Sequence, residues 1–334
     1  MSAPSLKDAF GREISYLRLS VTDRCDLRCA YCMAEDMKFL PKRDVLSLEE
    51  LEFLAAAFID RGVKKIRLTG GEPLVRRDIM SLINRLGARF EANELEELTI
   101  TTNATQLERF AGDLFAAGVR RVNVSLDTLD DENFFRLTRR RQLGAVIRGI
   151  DAAQRAGLKV KINTVALKDT NQSEIPAMIE WAHGRDMTLT LIEVMPLGEI
   201  EQDRFDQYLP LSAVSDDLKS RWTLEPLEMK TGGPARYWRI IETGGVLGMI
   251  TPLTNNFCAG CNRVRVTCTG EIYMCLGHGD KLDLRAALRG PNPTQTLNEL
   301  LDVAMRRKPE RHEFEISKPG AEPAVARHMS VTGG

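Results

Sequence analysis

Val21 to Met33 reads V-T-D-R-C-D-L-R-C-A-Y-C-M, with Cys25, Cys29 and Cys32 spaced four and three residues apart. Spacings that short let one tight loop aim three sulfurs at a single point. Clustered thiolates favour zinc, copper(I) or an iron-sulfur cluster over oxygen-seeking cations. A closed zinc site prefers two short cysteine pairs to one trio, and an isolated buried thiol has no reason to recur at such intervals. A four-iron cube takes four thiolates when fully ligated. Three leave one iron open to a substrate or cofactor, which is what a reactive centre needs.

The residues just before this loop, Tyr16 to Val21, read as a strand, and the same short β-branched pattern recurs at Lys64 to Thr69, Glu97 to Thr102, Arg121 to Ser125, Lys159 to Val165 and Thr188 to Val194. Between them run helical patterns at Ser47 to Arg61, Arg77 to Arg89, Gln106 to Ala117, Leu143 to Ala156 and Ser173 to His183. Ser47 and Glu50 form a capping box for the first of these, and Gly62 closes it. Strands alternating with helices predict an α/β protein with a parallel sheet, here an incomplete (βα)6 TIM-like barrel. Such barrels do their chemistry where strands end. The expected strand ends are polar or small: Thr69-Gly70-Gly71-Glu72, Thr101-Thr102-Asn103, Ser125-Leu126-Asp127, Asn163-Thr164 and Glu193-Val194-Met195.

Past Met195 the pattern changes. Pro196 to Pro210 is rich in acids and turn formers, and Leu211 to Trp222 is expected to be helical. From Thr223 the period shortens to two, which predicts a small antiparallel sheet of Arg236 to Glu242, Val246 to Thr251, Arg263 to Thr267 and Glu271 to Cys275. The domain boundary is therefore placed at 222, with residues 1–222 the partial barrel and 223–334 an α+β extension. Helices are expected at Leu282 to Leu288 and Thr296 to Arg307, followed by a charged tail ending in Gly333-Gly334.

The extension carries a second trio, Cys258, Cys261 and Cys275, in the form C-x-x-C, thirteen residues, C. Cys275 is followed by Leu276 and Gly277, so no second C-x-x-C pair completes a zinc ribbon. His278 is the alternative fourth ligand for zinc, and Cys268 reads as a small buried residue. Directly after Cys261 come Arg263 and Arg265, two apart on a strand and therefore on one side of it. Paired guanidinium groups suit phosphate, which points to a phosphorylated substrate beside the second trio.

Composition narrows the function classes. With 334 residues, 43% hydrophobic and 28% charged, the chain can bury a large core. It has no apolar run approaching the roughly 20 residues of a membrane span. Its first ten residues lack the apolar stretch of a secretory signal, so a cytoplasmic location is expected. A net charge of −1 argues against a nucleic-acid-binding protein. Seven cysteines are a poor disulfide count, and six of them fall into the two trios.

The C-x-x-x-C-x-x-C pattern with Tyr31 before its last cysteine resembles the signature of the radical S-adenosylmethionine (SAM) enzymes. Combined with T-G-G-E-P at Thr69 to Pro73, F-C-A-G-C-N-R-V-R at Phe257 to Arg265, Cys275-Leu276 and the terminal Gly-Gly, the chain from Arg18 to Gly334 resembles the GTP 3′,8-cyclases of molybdenum cofactor biosynthesis. The resemblance implies a radical SAM barrel with two 4Fe-4S clusters, one on Cys25, Cys29 and Cys32 and one on Cys258, Cys261 and Cys275. It implies that SAM meets Tyr31, Gly71, Ser125 and Met195. GTP would meet Arg18, Arg67, Thr101, Lys161, Arg263 and Arg265. In that family a 5′-deoxyadenosyl radical takes hydrogen from C3′ of GTP, C3′ bonds to C8, and 3′,8-cyclo-7,8-dihydro-GTP results. The second cluster would hold the guanine, and the Gly-Gly tail would reach into the site.

The resemblance also implies a low-potential electron donor and a downstream cyclic pyranopterin monophosphate synthase, with the enzyme a monomer or homodimer. Two residues depart from the family pattern. Thr190 stands where Arg is usual, which lowers the positive charge expected around the substrate and for which Arg185 or Lys159 is no assured replacement; Ala104 stands where Gly commonly follows Thr-Thr-Asn. Two rival readings are a radical SAM peptide maturase, which would carry more auxiliary cysteines, and a zinc-binding interaction module without catalysis.

Overall fold

Residues 4–33, 35–198, 204–229, 231–316 and 323–333 are described by the computed structural model. Six strands lie where the β-branched runs predict them, their ends displaced by no more than one residue: β1 (Tyr16–Ser20), β2 (Lys65–Thr69), β3 (Glu97–Thr102), β4 (Arg121–Ser125), β5 (Lys159–Ala166) and β6 (Thr188–Glu193). They pair in parallel in chain order. The expected helices pack between them at Leu48–Asp60, Ile79–Gly87, Leu107–Ala116, Leu143–Arg155 and Ile175–His183. The capping box forms, with Glu50 N–H donating to Ser47 Oγ at 3.1 Å and Ser47 N–H donating to Glu50 Oε2 at 2.7 Å.

The remaining strands are β7 (Leu224–Leu227), β8 (Arg236–Ile240), β9 (Val246–Ile250), β10 (Arg263–Val266), β11 (Glu271–Tyr273) and β12 (Lys281–Asp283). They do not make the separate small antiparallel sheet that their period suggests. Instead β9 pairs in parallel with β6, and β10 pairs in parallel with β1. All twelve strands form one sheet in the order β12-β11-β10-β1-β2-β3-β4-β5-β6-β9-β8-β7. Period two shows which face a side chain takes, and it is silent on which edge the strand joins. The consequence is topological: residues 251–262, between β9 and β10, have to cross from one edge of the six-stranded core to the other. That crossing carries Cys258 and Cys261.

Alternation divides the two faces of the sheet. Leu17, Leu19, Ile66, Leu68, Leu98, Ile100, Val122 and Val124 are buried with Phe58, Leu82 and Ile150 from the helices in one continuous core. Each such side chain contributes roughly 1.5–3 kcal/mol when fully buried. The other face carries Arg18, Arg67, Thr101, Asn123 and Lys161, and these surround a cavity. Among the described residues no helix is long and apolar enough to cross a membrane.

Candidate active site

The first cysteine loop is held from three sides. Gly71 N–H donates to Thr22 O at 2.9 Å and Glu72 N–H to Arg24 O at 2.7 Å. A Cβ on Gly71 would lie 2.2 Å from Arg24 O, so the glycine is required by the approach of protein backbone. Arg28 N–H and Ala30 N–H each donate at 2.9 Å to Thr138 O and Leu137 O, the end of a helix at Asp131–Thr138 that the periodicity did not predict. Asn103 donates to Asp26 Oδ1 at 2.7 Å and lies 3.7 Å from Cys25 Sγ. Burial, followed by the negative charge of Glu72, pushes the Cys25 thiol up to about 12. Burial, then the charges of Cys32 and Cys25, raises Cys29 as well, so these two thiols favour the thiolate form only beside a cation.

The second trio is strapped by two cations that sequence reading missed. Lys308, 3% exposed, donates through Nζ to Met274 O at 2.6 Å and Arg263 O at 3.0 Å, and lies 3.7 Å from Cys261 Sγ. Arg12 donates to Cys258 O at 2.8 Å, Pro309 O at 2.7 Å and Glu310 O at 2.6 Å. Glu193, at the end of β6, accepts from Leu253 N–H at 3.0 Å, from Thr254 N–H at 3.2 Å and from Thr254 Oγ1 at 2.6 Å. It thereby ties the start of the crossing segment to the barrel. His278 Nε2–H donates to Arg311 O at 2.9 Å, and Cys268 is 2% exposed.

Both trios line one cavity enclosing about 2110 Å³ of non-atom space, part of it open to solvent. Tyr31, Gly71, Ser125, Met195, Arg18, Arg67, Thr101, Lys161, Arg263 and Arg265 line it too. Every site residue expected from the sequence is thus brought together. For a single metal ion, the described residues offer no group of three His, Cys, Asp or Glu; one zinc would draw its sulfurs within about 4.6 Å, twice the Zn–S bond. A four-iron cube is larger and takes thiolates at separate corners.

Cations dominate the floor of the cavity. Arg18 is the Cα partner of both Arg265 and Arg67. No carboxylate among the described residues lies within 4.0 Å of Arg67, Lys161, Arg263 or Arg265, and the buried Nε atoms of Arg67 and Arg265 have no hydrogen-bond partner there. Burial, then the charge of Arg263, pulls Arg265 down to about 10. Lys161 is pulled down to about 7 by burial, then by Arg67 and Arg121. Its Nζ donates to Tyr237 Oη at 2.7 Å, which is 2.8 Å from Thr231 Oγ1. Tyr237 comes from β8, and nothing in its sequence context marked it.

On the opposite wall, Tyr31 Oη donates to Asp127 Oδ2 at 2.5 Å, and Val165 N–H donates to Oδ1 at 2.8 Å. Burial raises Asp127 to about 6. The Glu72 carboxylate accepts from Asn103 N–H at 2.6 Å, Thr102 Oγ1 at 2.8 Å and Leu74 N–H at 3.0 Å, and burial raises it to about 7. The strand-end pattern had pointed at both acids.

Residues 19–182 match the Radical SAM superfamily and residues 187–314 match Molybdenum Cofactor Synthesis C. Over 334 residues, all of both chains, the sequence is 63% identical to the GTP 3′,8-cyclase of Erythrobacter litoralis (strain HTCC2594). The chain belongs to the GTP 3′,8-cyclase family of radical SAM enzymes. The GTP 3′,8-cyclase of Rhizobium meliloti (strain 1021) is 61% identical over 327 residues, which is 98% of this chain and 94% of that one. Streptococcus suis SuiB bound to S-adenosylmethionine shares the fold with a TM-score of 0.57 at 16% identity, over 96% of this chain and 78% of that chain. In this GTP 3′,8-cyclase family member the two departures acquire structural meaning. Ala104 sits at φ 64°, the left-handed region that favours glycine. Thr190 is fully buried opposite Gly248. Neither Arg185, paired at 2.6 Å with Asp151, nor the exposed Lys159 supplies a charge there.

Proposed function

We propose that this chain converts GTP to (8S)-3′,8-cyclo-7,8-dihydroguanosine 5′-triphosphate, the first step of molybdenum cofactor biosynthesis. The observation that carries the reading is the in-register row of buried Arg265, buried Arg18 and half-buried Arg67, which with the buried Arg263 and Lys161 lies on the cavity that both cysteine trios line. Like charges so placed repel, and a triphosphate relieves them. A peptide substrate gives no reason for such a floor.

In this reading Cys25, Cys29 and Cys32 hold the first 4Fe-4S cluster, and Cys258, Cys261 and Cys275 hold a second. When bound, SAM and the first cluster supply radical chemistry by one-electron cleavage, and the second supplies an open iron for the base. Tyr31, Gly71, Ser125 and Met195 surround SAM, with Tyr31 oriented by Asp127. Arg18, Arg67, Lys161, Arg263 and Arg265 grip the phosphates, and the Thr101 hydroxyl, buried without a hydrogen-bond partner, is available to the nucleotide. Residues 1–222 act as the radical-generating barrel, which also supplies Arg18, Arg67, Thr101 and Lys161 to the nucleotide, and residues 223–334 as the extension that brings the second trio, Arg263 and Arg265 and adds strands to both edges of the barrel. Gly333 belongs to this arrangement, because a Cβ there would lie 2.0 Å from Thr69 Oγ1; Gly334 lies outside the described residues. The enzyme works in the cytoplasm as a monomer or homodimer, receives electrons from a low-potential donor, and passes its product to a cyclic pyranopterin monophosphate synthase.

Anaerobic reconstitution should load about eight iron per chain, four for each cube. With SAM and a reductant, 5′-deoxyadenosine should form when GTP is added. One or two zinc in place of iron, or equal yield with ATP, would overturn the reading.

A further inference from the structure

Beside the second cysteine trio the cavity wall is aromatic, and it includes an imidazole whose Nε2 has no hydrogen-bond partner among the described residues. Phe257, His312 and Phe314 line it together with Cys258, Cys261 and Arg263. The His312 ring lies 4.5 Å from Phe314 at 31° and 6.2 Å from Phe257 at 62°. The Arg263 guanidinium stands 5.2 Å from the centre of the Phe257 ring. Gly277 clears the space behind, because a Cβ there would lie 2.7 Å from His312 Cβ and 2.8 Å from Phe314 Cε1.

The backbone settles the tautomer of His312. Phe314 N–H donates to Nδ1 at 3.3 Å, so Nδ1 is an acceptor and a neutral ring carries its proton on Nε2. Nε2 is a buried atom with no hydrogen-bond partner among the described residues. An N–H left without a partner beside aromatic faces suits a flat heterocycle that presents an acceptor at its edge.

We infer that His312 reads the purine base of the substrate, its Nε2–H donating to the 6-oxo group of guanine while Phe257 and Phe314 bound the slot. This rests on the GTP reading and adds the residue that sets base specificity. The contrast is chemical. Guanine and hypoxanthine offer an oxygen at position 6, adenine offers an amino group that cannot accept, and 2-aminopurine offers only hydrogen. In the proposed reading a cluster held by Cys258, Cys261 and Cys275 would take the base in the same compartment, and His312 would add a directional hydrogen bond to it.

The test is equilibrium binding to anaerobically reconstituted holoenzyme, with iron content measured in every variant. The wild type should bind GTP and ITP alike, and the triphosphates of 2-aminopurine riboside and adenosine about tenfold more weakly. His312→Phe should lose about tenfold toward GTP and ITP and almost nothing toward the 2-aminopurine nucleotide. An equal loss toward all four nucleotides would make His312 a packing residue and overturn the inference. So would a variant that keeps the full preference for GTP. If the variant loses iron, the wild type decides: equal affinity for GTP and the 2-aminopurine nucleotide rejects the role. If the wild type binds ATP as tightly as GTP, the proposed function falls and this inference falls with it.

Discussion

Arg18 on β1 and Arg265 on β10 are Cα partners across a parallel strand pair, and both residues are 8% exposed. One of these strands precedes the first cysteine loop and the other follows the second. Their pairing therefore fixes how the two trios face each other. It also places two guanidinium groups side by side, and Arg18 is held well below its ordinary value by burial, then by Arg265 and Arg67.

Removing one charge should help the empty protein and harm the complex. Arg265→Met is expected to raise the stability of the nucleotide-free enzyme by about 1 kcal/mol, as replacement of buried ions by apolar groups often does. GTP binding should weaken by about a hundredfold, in line with truncating one buried member of a charge pair. Thermal melts with and without GTP check both signs. A variant that melts lower when empty yet binds GTP normally would mark Arg265 as structural.

Lys161 makes GTP binding sensitive to pH. Its ammonium is held at about 7 against an ordinary 10.5. Between these values the unfolded chain binds more protons than the folded one, so the empty enzyme gains stability as pH rises through that window. A bound triphosphate favours the ammonium form. Binding near pH 8 is therefore expected to take up roughly one proton. Calorimetry in buffers of different ionisation enthalpy reads the uptake, and Lys161→Met should abolish it.

The two cysteine loops can be loosened separately. In Gly71→Ala the new methyl meets Arg24 O, so iron should be lost from the first trio. Glu193→Ala leaves the N–H groups of Leu253 and Thr254 without their acceptor, at about 1–3 kcal/mol each, and iron should be lost from the second. Each variant should hold about four iron per chain, with far-UV circular dichroism confirming the fold. Retention of full iron by either one would show that its loop is held by other contacts.

Ala104→Gly should stabilise the protein. A non-glycine residue at φ 64° carries a strain of about 1–2 kcal/mol, and the extra freedom that glycine has when unfolded returns part of this. A net gain of about 1 kcal/mol in urea unfolding is expected. No gain would mean that the surrounding turn already absorbs the strain.

Much of the barrel was legible because a strand end and a helix cap are local events. The alternation of Tyr16 to Ser20 and the Ser47/Glu50 box lie within a few residues of chain. The helix at Asp131–Thr138 escaped because it is short and polar, although Asp130 accepts from Asn133 N–H at 2.7 Å in a cap that the sequence contains. β7 escaped because Pro226 argues against a strand. It is tolerated at Pro226 because β7 is the edge of the sheet.

The chain alone determined the chemistry: cysteine spacing set which donors could gather, and period two set which arginines share a face, since both depend only on short-range backbone geometry. Tertiary structure decided the neighbours. That β9 and β10 join opposite edges of the barrel, that Lys308 reaches Cys261, and that the His312 ring meets Phe257 on the cavity wall are contacts between distant segments. Such contacts are selected by packing and by the satisfaction of buried polar groups, and no local pattern encodes them.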